Sequence, residues 1–416
     1  MRYKAVKKKS MIILIVASLL LCLGCVLWDC ATATTIPKLY FYGDISDMNR
    51  KSDVRHVFVT YQDGAKVFRS YTKLKIQGDT STKFEKKNYT IKFYSDNDGT
   101  KERMLDVGWG AHNKYCLKAN WIDRTHARNL VTAKLARKVQ EKYNLLTQAP
   151  CNGLVDGFPV EVYSNGAFLG LYTFNIPKSA WLFGMESGNP NHIVLCSEAW
   201  TPSNTFHEAP NLTDWSIVVG EESEETLAKA YQLYDFIRNS TDEEFVADFE
   251  KHLDLDAALN YYVLADVAYL PDNCGKNIML VTYDGVKWYL SLYDMDTAWG
   301  TDWEGSTVYN YAKDPMNHSS NVLFSRMEQC FPGELAERYR ELRQDVLSNE
   351  SIMAEFVAFR NQIPRITFLR EGMKWGSGFI RSTDDLPGFD YDQIEDYLNT
   401  VPAILDMKYA EFASRQ

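Results

Sequence analysis

Residues 266–300 read D-V-A-Y-L-P-D-N-C-G-K-N-I-M-L-V-T-Y-D-G-V-K-W-Y-L-S-L-Y-D-M-D-T-A-W-G, and the order of signals in this stretch organises the rest of the chain. An apolar helix predicted over 255–268 runs into Leu270-Pro271, where proline cannot continue it. Asp272 and Asn277 follow, five residues apart on a loop. Two β-branched and aromatic runs, 278–283 and 286–293, flank Asp284-Gly285 and predict a hairpin. Asp294 and Asp296 emerge at its far end, two apart and so on one side of a continuing strand. Each group has an ordinary explanation by itself. Pro-Asp-Asn favours a turn whatever else it does, and Asn277 alone would read as a strand cap. Taken together, three carboxylates and an amide brought to one place are costly without a cation, and oxygen ligands suit a hard Mg2+ or Mn2+.

That set of groups is what phosphoryl transfer needs. One carboxylate orients the attacking hydroxyl, while an amide and a carboxylate hold the divalent ion that bridges nucleotide phosphates. Protein kinases place them in the same order: catalytic Asp, Asn five residues on, a hairpin, then a metal-binding Asp shortly before a Gly. Here Leu270-Pro271 replaces the usual His-Arg, and Asp294 through Gly300 replaces the Asp-Phe-Gly triplet.

Working outward, three more segments matter. Gln77-Gly78-Asp79-Thr80-Ser81 precedes Lys86-Lys87-Asn88-Tyr89-Thr90-Ile91-Lys92-Phe93. Leu117-Lys118-Ala119-Asn120-Trp121-Ile122-Asp123 precedes Arg128-Asn129, and Gly166 to Tyr172 reads G-A-F-L-G-L-Y. With 266–300 they resemble, in order, the motifs of the CotH kinase family from about Leu74 to Gly300. The resemblance implies an atypical, two-lobed, protein-kinase-like fold and ATP- and Mg2+- or Mn2+-dependent transfer of phosphate to Ser or Thr of exported or envelope proteins. It makes Asp272 the catalytic residue and Asn277, Asp294 and Asp296 the metal ligands. Lys92 becomes the phosphate lysine, with Lys87 and Lys276 as competitors and Gly78 in a loop over the phosphates. Lys92 has a plain alternative as an exposed lysine, since it alternates with Ile91 and Phe93. Arg128, at a helix start, reads more naturally as a structural ion-pair partner than as a ligand. Gln77 and Asp79 stand where the family has Arg and Asn, and the acidic residue expected after the second hairpin is missing from Asn175-Ile176-Pro177-Lys178. Those departures leave a second expectation, a catalytically inactive surface protein serving as adhesin or scaffold.

The pattern of elements predicts an α+β fold. Strands alternate over 36–94, a helix is expected over 124–143, and two strands, 159–164 and 168–175, meet at Asn165-Gly166. Beyond about Pro177 helices dominate: 225–239, 242–249, 255–268, 332–347, 351–369 (ended early or kinked at Pro364) and 390–415. This divides the chain into a strand-rich lobe, 36–177, and a helix-rich lobe, 178–416, with a ligand expected between them.

Residues 1–30 read as a targeting segment. Five cations (Arg2, Lys4, Lys7, Lys8 and Lys9) precede the apolar run 11–28, which is the layout of an export signal or membrane anchor. Leu21-Cys22-Leu23-Gly24-Cys25 resembles a lipobox, so Cys25 is a candidate for lipidation. The expected location is exported, in the envelope or outside the cell, with membrane contact only through this segment. The formal charge is −10 over 416 residues, near −15 once those cations are set aside, which argues against a nucleic-acid partner. Hydrophobic residues at 45% and aromatics at 13% require a folded body. Cys116, Cys151, Cys196, Cys274 and Cys330 are too scattered for a zinc site and read as buried thiols, with at most one disulfide. No H-E-x-x-H or G-x-S-x-G occurs, so zinc proteolysis and serine hydrolysis have no support.

Overall fold

The computed structural model describes residues 35–302, 305, 316, 318–379 and 389–415. The targeting segment, with Cys22, Cys25 and Cys30, lies outside them. The fold is α+β, and its strand-rich part is a closed barrel of seven strands. Around the ring these are β1 (Lys38–Tyr42), β2 (Val54–Asp63), β3 (Lys66–Gln77), β4 (Asn88–Tyr94), β7 (Lys114–Lys118), β9 (Ala167–Asn175) and β8 (Gly157–Ser164). Between β4 and β7 a small separate pair, β5 (Leu105–Asp106) and β6 (Ala111–His112), branches off. Every neighbour in the ring is antiparallel except β1 and β8, whose parallel pairing closes it. Strand alternation fills the interior: Tyr89, Ile91 and Phe93 of β4 meet Tyr115 and Leu117 of β7, with Val160, Val162, Tyr172 and Phe174 opposite. The odd-numbered residues of β4 go inside, so the even-numbered ones, Lys92 among them, face out.

The second core is built on a four-stranded sheet ordered β11 (Trp215–Val219), β10 (Ile193–Ser197), β12 (Ile278–Thr282), β13 (Tyr289–Leu292). Helices α1 (Arg128–Lys142), α2 (Glu224–Asn239), α3 (Asp242–His252), α4 (Leu255–Ala268), α5 (Val322–Cys330), α6 (Pro332–Arg343), α7 (Asn349–Gln362), α8 (Arg365–Phe379) and α9 (Phe389–Ala413) complete it. α4 is buried from Ala257 to Ala268, consistent with its apolar sequence, and is central to this core. Pro364 does break the predicted 351–369 helix, into α7 and α8.

Two elements cross the expected division at Pro177. α1 lies among the barrel strands in sequence yet packs against α4 and α7. α8 lies among the helices yet docks on β9 of the barrel. Thr367 donates to Glu161 at 2.6 Å, Trp375 Nε1 donates to the Leu169 carbonyl at 2.9 Å, and Glu371 pairs with buried Lys86 at 2.6 Å. The five scattered cysteines are all free thiols.

Candidate functional site

The two loops of the 266–300 stretch are held from several sides. Pro271–Cys274 forms a single 3-10 turn after α4, with the amides of Gly275 and Lys276 donating to the Asp272 carbonyl. Asn273 ties this turn to the hairpin end by donating to the Tyr293 carbonyl at 3.0 Å. Asn277 sits at φ 60° and is anchored through its amide to the Ser197 carbonyl at 2.8 Å. Asp294 sits at φ 54°. Left-handed backbone at non-glycine residues persists only where the surroundings over-determine it, and it gathers at functional sites.

What holds Asp294 to Gly300 is the start of α1. Arg128 donates to the carbonyls of Ala298 and Trp299 at 2.7 and 3.2 Å, and to Gln393 of α9 at 2.6 Å. The Asn129 side chain accepts from the Met295 amide, and Trp299 Nε1 donates to Thr132. Asp123 in turn accepts from the amides of Thr125 and Arg128 and lies 3.3 Å from Arg128 Nε. The helix therefore begins at Arg128 and not at 124, because Asp123 draws the preceding residues into a capping turn. Arg128 is a structural partner here, and the Asp123…Arg128-Asn129 pattern is the mount for the acidic loop.

The electrostatics converge on one lysine. Lys118, at the end of β7, has its ammonium 3.8 Å from Asp294. Burial works against its charge, but Tyr293, Asp294 and Asp296 overcome that and raise its pKa. Burial and then the negative charge of Asp294 push the Asp296 carboxyl far up; Lys118 opposes this, while Asp123 and Asp272 add to it. Asp294 and Asp296 thus share the field of Lys118, and Asp272 adds its charge at Asp296. Lys178 adds a second cation, 4.6 Å from the Tyr293 ring and 3.2 Å from Cys196 Sγ.

The other expected phosphate groups lie differently. Lys92 faces out of the barrel, ion-paired at 2.8 Å to Glu102 and over the Tyr94 ring. It pairs across the ladder with Lys114, four residues before Lys118 on the same strand, or about 13 Å away at strand rise. It is therefore not brought to Asp294. Lys87 donates to the carbonyls of Thr82 and Phe84 and so closes the Thr80–Lys83 turn. Gly78, at φ 101°, packs so tightly on Ser81 that a Cβ would come within 1.9 Å of its Oγ. Asp79 ion-pairs with Lys51 at 2.7 Å, which holds its carboxyl below the usual range, with smaller pulls from Lys276 and Lys83. Lys118 lies inside the Leu117–Asp123 motif. The signal available was its place five residues before Asp123, the residue that mounts the acidic loop.

Among the described residues, no three His, Cys, Asp or Glu side chains stand close enough to hold a metal ion by themselves. Mg2+ is usually held by one or two carboxylates, several waters and substrate phosphates, so an amide with Asp294 and Asp296 fits it without a third acid. Nor is any described helix long and apolar enough to cross a membrane.

A family profile described as CotH kinase protein matches residues 74–377. No curated protein matches the chain.

Proposed function

The chain belongs to the CotH kinase family, and from that premise we propose that it is an atypical protein kinase, moving the γ-phosphate of ATP to Ser or Thr hydroxyls of exported or envelope proteins. The observation that supports this best is the pairing of Lys118 with Asp294 beside Asp296, whose carboxyl also feels Asp272, on loops held by Arg128, Asn129 and Asn273. Asp272 orients the acceptor hydroxyl and takes its proton as the oxygen bonds to the γ-phosphorus. The bond from that phosphorus to the β–γ bridging oxygen breaks, and ADP leaves. Asn277 and Asp294, with Asp296 beside them, are the ligands for Mg2+ or Mn2+, which supplies charge neutralisation of the phosphates. Lys118 takes the phosphate-steadying role that the family resemblance implied for Lys92, and Lys276 with the Gly78 loop covers the opposite side. Export follows from the N-terminal segment, with Cys25 as its lipidation site.

The test is transfer of labelled γ-phosphate from ATP with Mn2+ to the protein itself or to a generic acceptor. Asp272→Ala and Asp294→Ala should each lower labelling by roughly 10²-fold or more. Labelling equal to wild type in both variants overturns the assignment. An inert wild type whose melting temperature does not move with millimolar ATP and Mn2+ points instead to the adhesin or scaffold reading.

A further inference from the structure

Helix α8 (Arg365–Phe379) presents two unlike faces. Its inner face is committed to the barrel through Thr367, Glu371 and Trp375. Its outer face carries Ile366, Leu369 and Met373, which are 60%, 44% and 87% exposed. These three follow i, i+3, i+7 spacing and so form one apolar stripe along the helix. Lys374 flanks the stripe on one side and Arg365 on the other, while Arg370, beside Lys374, reaches back to Tyr163 and Glu161 of the barrel. Glu371 is the only acid in the helix, and it is turned inward to Lys86. A basic, apolar-striped surface on a chain with a net charge of −10 is unlike its surroundings. Cations beside an exposed apolar stripe suit a helix lying in the interface of an anionic bilayer.

The path of the chain brings the start of β1 to the base of this helix. Lys38, at the start of β1, lies 3.6 Å from Glu161, and Glu161 accepts from Thr367 of α8. The roughly ten residues between the end of the apolar run at Trp28 and Lys38 span at most about 35 Å when fully extended. A chain held in a membrane by residues 11–28 therefore keeps α8 close to the bilayer surface.

We propose that the outer face of α8 lies on an anionic lipid surface, so that the catalytic domain is held in one orientation and not merely tethered. This rests on the reading of residues 1–30 as an export segment kept in or at the membrane. Met373 is the natural probe, because a lipid-covered thioether is shielded from peroxide. Met407 on α9, 68% exposed, is the internal control. The full chain is mixed with vesicles of phosphatidylcholine and phosphatidylserine, and sulfoxide formation at both residues is followed by peptide mass spectrometry. Met373 should oxidise at least about fivefold more slowly than Met407, and the double variant Ile366→Glu/Leu369→Glu should bring the two rates together. Equal rates in the wild type overturn the proposal. Slow oxidation of Met373 in both proteins overturns it too, since the chain itself would then be the cover. Recovery of the protein with the vesicles is scored separately. If residues 1–30 do not retain the chain but Met373 is still protected, the anchor reading fails and the α8 surface stands.

Discussion

Gly275 lies between Asp272 and Asn277 at φ −157° and ψ −18°. Its lack of a side chain has a steric cause: a Cβ there would come within 2.5 Å of the Trp200 ring. Trp200 remains 45% exposed while lying against this backbone. Gly275→Ala should therefore destabilise the protein by about 1–3 kcal/mol through overpacking and lower phosphotransfer. Adding Trp200→Ala should restore much of both. Urea titration of the two single variants and the double checks this, and additive losses would mean that the glycine serves another purpose. At this scale the acidic residues were legible because their spacing is short-range and follows turn chemistry. Lys118, which we propose for the phosphates, was not. Alternation correctly placed Lys92 opposite Ile91 and Phe93, but sequence alone does not say which outward position of a barrel is covered by the second core. That choice is made by the ladder register, which puts Lys118 four residues beyond Lys92's partner Lys114.

Lys86 and Glu371 join elements far apart in sequence, β4's approach and α8. Lys86 also donates to the carbonyls of Ala119 and Leu171, and Glu371 accepts from the Leu171 amide. The Lys86 ammonium is almost wholly buried, which lowers its pKa against the pull of Glu371. Lys86→Met should cost about 3–5 kcal/mol, because it strands a buried carboxylate. Glu371→Gln added to it should recover part of that loss, since the amide still accepts from Leu171 without a charge. Chemical denaturation of the single and double variants gives the answer, and a double variant no more stable than Lys86→Met would contradict it. Helices with clear punctuation were legible: Leu255–Ala268 matches its expected bounds, and Pro364 ended a helix as expected. β10 and β11 were not, because short apolar runs carry no period that separates a strand from a loop. α5 was hidden for a similar reason, being only nine residues long.

Over the whole molecule, acid should loosen the fold in two stages. Burial, reinforced by Lys86, holds His126 far below its ordinary value of 6.5, and burial with Lys408 lowers His318. Unfolded, both take up a proton below about 6.5, but folded they resist it. Stability is therefore full above that pH and falls as pH drops, by up to about 1.4 kcal/mol per pH unit for each histidine. Asp266 adds a second loss. Burial would raise its pKa, but Lys408 and His318 outweigh that and hold it well below 3.8, so its contribution fades only as pH falls beneath that value. The urea midpoint should decline from pH 7 to 5, and His126→Asn, which tolerates the positive φ of 57° there, should flatten that slope. A midpoint constant across the interval would rule out buried neutral histidines. The mixed α+β character was legible from element order, but barrel closure was not, because a parallel pairing between β1 and a strand far downstream leaves no local mark. That pairing also imposes an order of assembly. Delivered amino-terminus first, Lys38–Tyr42 can zip to Val54–Asp63 at once, yet its other edge stays bare until Gly157–Ser164 arrives. At synthesis rates of roughly 5–20 residues per second this interval is on the order of ten seconds. During it the nascent ring is an open ribbon, pliable enough to be threaded and sticky enough to need a chaperone.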